Sequence, residues 1–198
     1  MPTNGVAGIL LAAGTSTRMG RNKMLLDLGG ETVLRRAARG AIDGGLCPLI
    51  VVLGSEAECA ERALGGLECR LVLNPHFESG MTSSMHRGLA ALPTTATAAM
   101  VLLADMPFVT AGMIGAMVRR YHETAAHLVI SDYEGVNAPP MIYDKHLFGE
   151  LRATHGDRCG RQVVQRHRDQ AEILRWPASA LADLDVPEDY ERLTLTQK

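Results

Sequence analysis

The sequence predicts an α/β fold: a mostly parallel central sheet with helices packed on both faces. Three observations carry this. Short apolar runs recur at 6–11, 48–53, 69–73 and 99–103 without polar alternation, as strands buried on both faces require. The segments between the first three runs have helical periodicity and end near glycines. Strand–helix–strand alternation of this kind is the pattern of a parallel sheet, because parallel neighbours need a crossover.

The first strand, Val6 to Leu11, runs into Ala12, Ala13, Gly14, Thr15, Ser16 and Thr17, followed by Arg18, Gly20 and Lys23. A strand that ends in small residues leaves backbone N–H groups bare at the carboxyl end of the sheet. Together with Arg18 and Lys23 they make an anion site that suits a phosphate chain. The stretch is not a Walker A loop, since five residues separate Gly14 from Gly20 and Lys23 stands apart from Gly20. The dinucleotide pattern G-x-G-x-x-G is also absent.

A helix follows over 31–42, with Val33, Leu34, Ala37, Ala38 and Ala41 on one face and Gly44-Gly45 at its end. The second strand is Pro48 to Leu53. A short helix spans about 56–64, and the third strand, Cys69 to Leu73, ends at Asn74-Pro75. The small, polar run Phe77 to Met85 passes into a helix over about 82–91. Hydroxyls and N–H groups at a helix start either cap it or meet a base edge or ribose; composition alone favours capping.

The fourth strand, Ala99 to Leu103, is the most central by its apolarity. It delivers Asp105 to the carboxyl end of the sheet, where ligands bind in open α/β folds. Pro107 stops the strand, and Thr110 is the better cap for the helix around Met113 to Val118, so Asp105 is left for other work. A hard carboxylate beside bound phosphates suits Mg²⁺.

His127 to Ser131 reads as the fifth strand. Asp132 to Pro140 reads as a polar loop that its two prolines exclude from a central strand, with a short strand at 141–143 after it. Leu147 to Thr154 is helical. Arg158 and Arg161 lie in a loop and suit either an anionic acceptor or solvated charge; a helix follows over 162–167. Ile173 to Trp176 is an edge strand. Asp183 and Asp185 alternate along an extended segment and point the same way, while Glu188 and Asp189 follow Pro187 at a helix start.

Composition removes several function classes. The 198 residues suffice for one domain with a good core, or a domain with a lobe, and 46% of them are hydrophobic. A net charge of −2 argues against nucleic acid as a partner. The apolar run 6–13 is too short to span a membrane. Cys47, Cys59, Cys69 and Cys159 show no C-x-x-C spacing and read as reduced thiols of a cytoplasmic protein. The histidines form no H-x-x-x-H pair, so no zinc site is expected. No serine stands in G-x-S-x-G, which argues against a serine hydrolase.

The stretch Leu11-Ala12-Ala13-Gly14-x-Ser16-x-Arg18-Met19-Gly20-x-x-Lys23 resembles the signature of the MobA-like NTP transferase family, most closely the branch around molybdenum cofactor cytidylyltransferase. Gly80-Met81-x-Ser83-Ser84-x-x-x-Gly88-Leu89 is similar to the family's base-holding loop. Leu103-Ala104-Asp105-Met106-Pro107 matches its metal-binding motif. Gly156 to Arg161 and Asp183 to Asp189 resemble two later segments.

The resemblance implies a three-layer Rossmann-like nucleotidyltransferase fold in one domain, 1–198. Residues 1–110 would bind the nucleotide and 111–198 the acceptor. It implies an NTP held by Leu11, Ala12, Ala13, Gly14, Ser16, Arg18, Lys23, Gly80, Ser83, Ser84 and Asp105, with Arg18, Lys23 and Asp105 catalytic. Mg²⁺ would sit on Asp105 with Asp183 or Asp185. Asn137, Arg158 and Arg161 would face a molybdopterin-type acceptor, and a molybdoenzyme or its chaperone would be the protein partner. CTP is favoured over GTP because Ala12-Ala13-Gly14 resembles the cytidylyl branch. A guanylyltransferase, a sugar-1-phosphate nucleotidyltransferase and a non-catalytic nucleotide-binding accessory protein stay as alternatives. Two departures stand out: Asn137-Ala138-Pro139-Pro140 where many relatives carry Gly-His-Pro, and Val186 where Thr is usual.

Overall fold

A computed structural model of the chain describes residues 5–14, 22–156 and 160–181. Seven strands form one sheet: β1 (Val6–Ala12), β2 (Leu49–Leu53), β3 (Cys69–Leu73), β4 (Ala98–Leu103), β5 (Leu128–Tyr133), β6 (Val136–Asp144) and β7 (Glu172–Trp176). Their order is β3-β2-β1-β4-β6-β5-β7, so β4 is the middle strand, as its apolarity predicts. All pairings are parallel except the two that β6 makes with β4 and β5.

Six helices cover the sheet: α1 (Val33–Asp43), α2 (Ala57–Ala63), α3 (Met81–Ala90), α4 (Ala111–Glu123), α5 (Phe148–Ala153) and α6 (Arg161–His167). Every residue of β1 is buried, and its side chains alternate between two cores. Val6, Leu10 and Ala12 pack with Leu34, Ala38 and Ala41 of α1, Ala60 of α2 and Ile114 and Met117 of α4. Ile9 and Leu11 pack with Met85 and Leu89 of α3, Leu151 of α5 and Val163 and Val164 of α6. Strands with period two and two faces to fill therefore need apolar residues at every position. Each fully buried Leu or Met contributes about 1.5–3 kcal/mol. Thr32 caps α1 through Arg35 N at 3.2 Å, and Thr110 caps α4 through Met113 N at 3.2 Å.

α3 lies close on β1. A Cβ added at Gly88 would stand 2.4 Å from Cγ2 of Ile9, so the glycine of the second motif sets this approach. Among the described residues no helix is long and apolar enough to cross a membrane.

The segment expected to be a proline-bearing loop is instead most of β6, inside the sheet. Two features reconcile the prolines with that position. Glu134 and Gly135 both take positive φ (52° and 97°) and close a two-residue hairpin in which Tyr133 faces Val136. The β5–β6 register then shifts between Ile130 and Ser131: Ser131 faces Ala138 while Ile130 faces Met141, and pairing with β4 begins only at Met141. Pro139 and Pro140 fall outside both ladders, where a missing N–H costs nothing. Their carbonyls are used instead, accepting from the hydroxyls of Tyr133 at 2.9 Å and Ser131 at 2.8 Å.

Candidate active site

The strand order locates the site. The chain lays down β1, β2 and β3 outward in one direction, then returns through α3 to place β4 on the other side of β1. β1 and β4 end side by side there, and the crevice outside the carboxyl ends of such strands is where open α/β sheets bind ligands. The loop after β1 begins at Ala13 and Gly14. The turn after β4 carries Asp105, registered by the Ala104 N–H donating to Leu11 O at 3.1 Å.

Lys23 is brought to this crevice by a one-turn 3₁₀ helix, Lys23–Leu25, which Asn22 caps by accepting from Met24 N at 3.1 Å. Its Nζ donates to Oδ2 of Asp105 at 2.6 Å, and both side chains are largely shielded (10% and 19% exposed). The two residues assigned separately to phosphate and metal are thus direct partners. Among the described residues no other donor to Asp105 is seen, so its second oxygen is left as an acceptor. A hard carboxylate oxygen of that kind fits a divalent cation.

Ser16, Arg18, Arg158, Asp183 and Asp185 lie outside the described residues. Leu11, Ala12 and Ala13 are buried and Gly14 is exposed at the start of the loop.

A backbone contact shapes that start. A Cβ at Gly54, just beyond β2, would lie 2.6 Å from Ala13 O and 2.7 Å from Cβ of Phe77. We expect Gly54→Ala to displace Ala13 and to raise the KM for nucleotide about tenfold, at a stability cost of about 1–3 kcal/mol. Steady-state kinetics with thermal unfolding checks both; an unchanged KM would separate the Ala13 backbone from nucleotide binding.

The serine loop is organised by a residue the sequence reading passed over. Asn74 is 1% exposed. Its Nδ2 donates to Ser83 Oγ at 2.8 Å and Ser84 Oγ at 3.0 Å, and its Oδ1 accepts from His76 N at 3.0 Å. Ser84 is buried, while Ser83 is half-buried. Gly80 starts α3 at φ 100° with no side-chain cap, so neither Thr82 nor Ser83 is the capping residue. The Thr82 hydroxyl donates to Gly156 O instead. Asn74-Pro75 read as a strand stop; nothing in the local pattern marks Asn74 as the anchor of a loop nine residues on. His86 is half-buried and bridges α3 to α5 through Nε2 and Leu151 O at 3.0 Å.

Asn137 and Arg161 line one cavity of about 500 Å³, together with Met81, Leu103, Arg168 and the hairpin at Val136. Leu103 precedes Asp105 by two residues, so the cavity adjoins the crevice. Asn137 is fixed on both sides: Nδ2 donates to Asp132 Oδ2 at 3.1 Å, and Oδ1 accepts from Arg168. Asp132 also accepts from Gly135 N at 3.0 Å. That backbone bond, with the Asn137 amide, holds its carboxyl below the usual range; slight burial opposes them, while Arg175 and Arg168 add to the lowering. Arg168 is the cation that sequence reasoning missed. It stands seven residues, two helical turns, after Arg161 on the same side, and that spacing was available to find it.

Curated relatives and solved structures resemble the chain over most of its length. A nicotine blue oxidoreductase of Paenarthrobacter nicotinovorans is 31% identical over 172 residues, 82% of each chain. A probable molybdenum cofactor guanylyltransferase of Opitutus terrae is 29% identical over 198 residues, 94% of each. The crystal structure of Rv0371c from Mycobacterium tuberculosis superposes with a TM-score of 0.85 at 28% identity, covering 96% of this chain and 97% of that one. The same protein solved with manganese superposes at 0.78 and 27%, covering 96% and 98%. The family model of the MobA-like NTP transferase domain matches residues 8–171, from within β1 to the residue before β7, and the chain belongs to that family.

Proposed function

We propose that this protein transfers a nucleotidyl group from an NTP, with CTP favoured, to a phosphate-bearing acceptor of the molybdopterin type, releasing pyrophosphate. The single observation behind the reading is the Lys23–Asp105 pair at the β1/β4 crevice, beside a cavity that carries Arg161 and Arg168. Lys23 would neutralise the triphosphate and hold Asp105 in place. A divalent cation, Mg²⁺ in our reading, would sit on Asp105 and supply further charge neutralisation there. An oxygen of the acceptor phosphate forms the new bond to the α-phosphorus, the bond from that phosphorus to the bridging oxygen breaks, and pyrophosphate leaves with the electron pair. A phosphate nucleophile is already ionised, so positioning and electrostatics dominate and no general base is required.

The cavity supports an acceptor with an anionic end and a flat apolar body. Its cations stand among Met81, Val101, Leu103, Met141 and Val164. The preference for CTP rests on Ala12-Ala13-Gly14, and the Opitutus relative's name points to guanylyl transfer as the nearest alternative.

The test is pyrophosphate release with Mg²⁺ and each NTP, with and without molybdopterin. Release with CTP that requires molybdopterin is the expected result. Release with GTP alone keeps the chemistry and replaces the base; release only with a sugar 1-phosphate replaces the acceptor. Nucleotide binding without turnover points to an accessory protein. The name of the Paenarthrobacter relative carries a redox chemistry, so oxidation of NADH or NADPH by a quinonoid dye, with no pyrophosphate from any NTP, would overturn the transferase reading.

A further inference from the structure

At the opposite end of the sheet three metal-ligating side chains meet outside the nucleotide site. The β5–β6 ladder continues one residue past Leu128 and Tyr143, with Asp144 N donating to His127 O at 2.9 Å. His127 and Asp144 are therefore cross-strand neighbours. Asp144 then caps the 3₁₀ turn Lys145–Leu147, accepting from His146 N at 2.9 Å, and the turn folds His146 back over it. Asp144 also pairs with Ala98, the first residue of β4, whereas Asp105 lies beyond the last.

One oxygen serves both rings. Oδ1 of Asp144 is 2.5 Å from Nδ1 of His146 and 3.7 Å from Nδ1 of His127, and the ring centroids are 5.0 Å apart. The three ligand atoms lie within 4.8 Å of one another. Two ligands each about 2.0–2.1 Å from a tetrahedral ion are about 3.4 Å apart, so the observed separations bracket that spacing. Both imidazoles are exposed and can rotate into place (55% and 65%), while Asp144 is held at 12%. The other carboxylate oxygen is oriented from behind by the Tyr121 hydroxyl, which donates at 2.6 Å. A half-buried outer partner of this kind fixes a ligand's direction. A groove of about 680 Å³ lined by Tyr121, His122, His127 and Asp144 opens beside the cluster and leaves room for a water ligand.

We propose that His127, Asp144 and His146 bind a late first-row divalent cation of the Zn²⁺ class, which staples the start of β5 to the end of β6. Two imidazoles and one carboxylate disfavour Mg²⁺ and Ca²⁺, which take oxygen ligands. The sequence showed no zinc spacing because the ligands come from a strand start, a strand end and a turn, with sixteen residues between the first two and a single residue between the last two.

The test is a Zn²⁺ titration of the full chain, labelled at its histidine rings, with Mg²⁺ in excess to occupy the hard-cation site. The ring-nitrogen resonances of His127 and His146 are expected to shift together and saturate at one equivalent. His127→Ala and His146→Ala should each weaken that binding at least tenfold, and Zn²⁺ should raise the Tm of the parent but not of the double variant. Pyrophosphate release should be the same in all of them. Tight Zn²⁺ binding that survives in the double variant, or rings that do not respond up to millimolar Zn²⁺, would overturn the proposal. If the double variant fails to fold, the ring resonances of the parent chain decide alone.

Discussion

Replacing Asp105 by Asn is expected to lower nucleotidyl transfer by about 10³-fold while leaving the fold in place. Asn keeps the size of the side chain and an oxygen that can accept from Lys23, so the 2.6 Å partnership weakens but is kept. The stability cost should be about 1 kcal/mol, because the pair is still partly wetted. Asp105→Ala is a poorer probe: it takes the carboxylate away from the Lys23 ammonium, which is 8% exposed as a residue, and adds about 1–3 kcal/mol of destabilisation to the kinetic effect. If the loss reflects cation binding, the Mg²⁺ concentration needed for half-maximal rate should rise in Asp105→Asn and move less in Lys23→Met. The two losses should also combine less than additively, since the residues act as one unit. Unchanged turnover with an unchanged Mg²⁺ dependence in Asp105→Asn would remove Asp105 from the site.

Those two residues were legible because each stands in a long motif at the carboxyl end of an apolar run. Such runs suffer no ambiguity of face: Val6 to Ala12 and Ala98 to Leu103 are apolar throughout, and only a strand covered on both sides needs that. Their direct contact was not legible, because it joins residues 82 apart through the geometry of the crevice. The proline segment misled for a local reason. The rule that prolines avoid central strands holds for paired positions, and Pro139 and Pro140 occupy a register shift between two ladders. The His127–Asp144–His146 cluster escaped for a tertiary one: antiparallel pairing, rather than helical spacing, brings its first two members together.

Asn74→Ala should be the most damaging single change outside the hydrophobic core, costing about 2–4 kcal/mol and roughly 5–15 °C in Tm. The side chain makes three hydrogen bonds, to Ser83, Ser84 and the His76 backbone. Ala removes all of them, and the buried Ser84 hydroxyl loses its donor. Losses within such a network exceed those of its separate bonds, because each partner left behind keeps its desolvation penalty. Ser84→Ala gives the internal comparison: it removes one hydroxyl and leaves one amide hydrogen unpaired, so it should cost about 1 kcal/mol. Asn74→Asp keeps the acceptor for His76 but brings a carboxylate where Nδ2 was, and should fall between Ser84→Ala and Asn74→Ala if the hydroxyls turn to donate. The functional consequence follows from position. Asn74 holds Ser83 and Ser84, within the Gly80 to Leu89 segment that resembles the base-holding loop, so the KM for NTP should rise more than kcat falls in the fraction that stays folded. Urea unfolding with steady-state kinetics reads both effects. An Asn74→Ala variant that loses less than about 1 kcal/mol, or whose KM is unchanged, would show that the Gly80–Ser84 turn holds its shape through α3 alone.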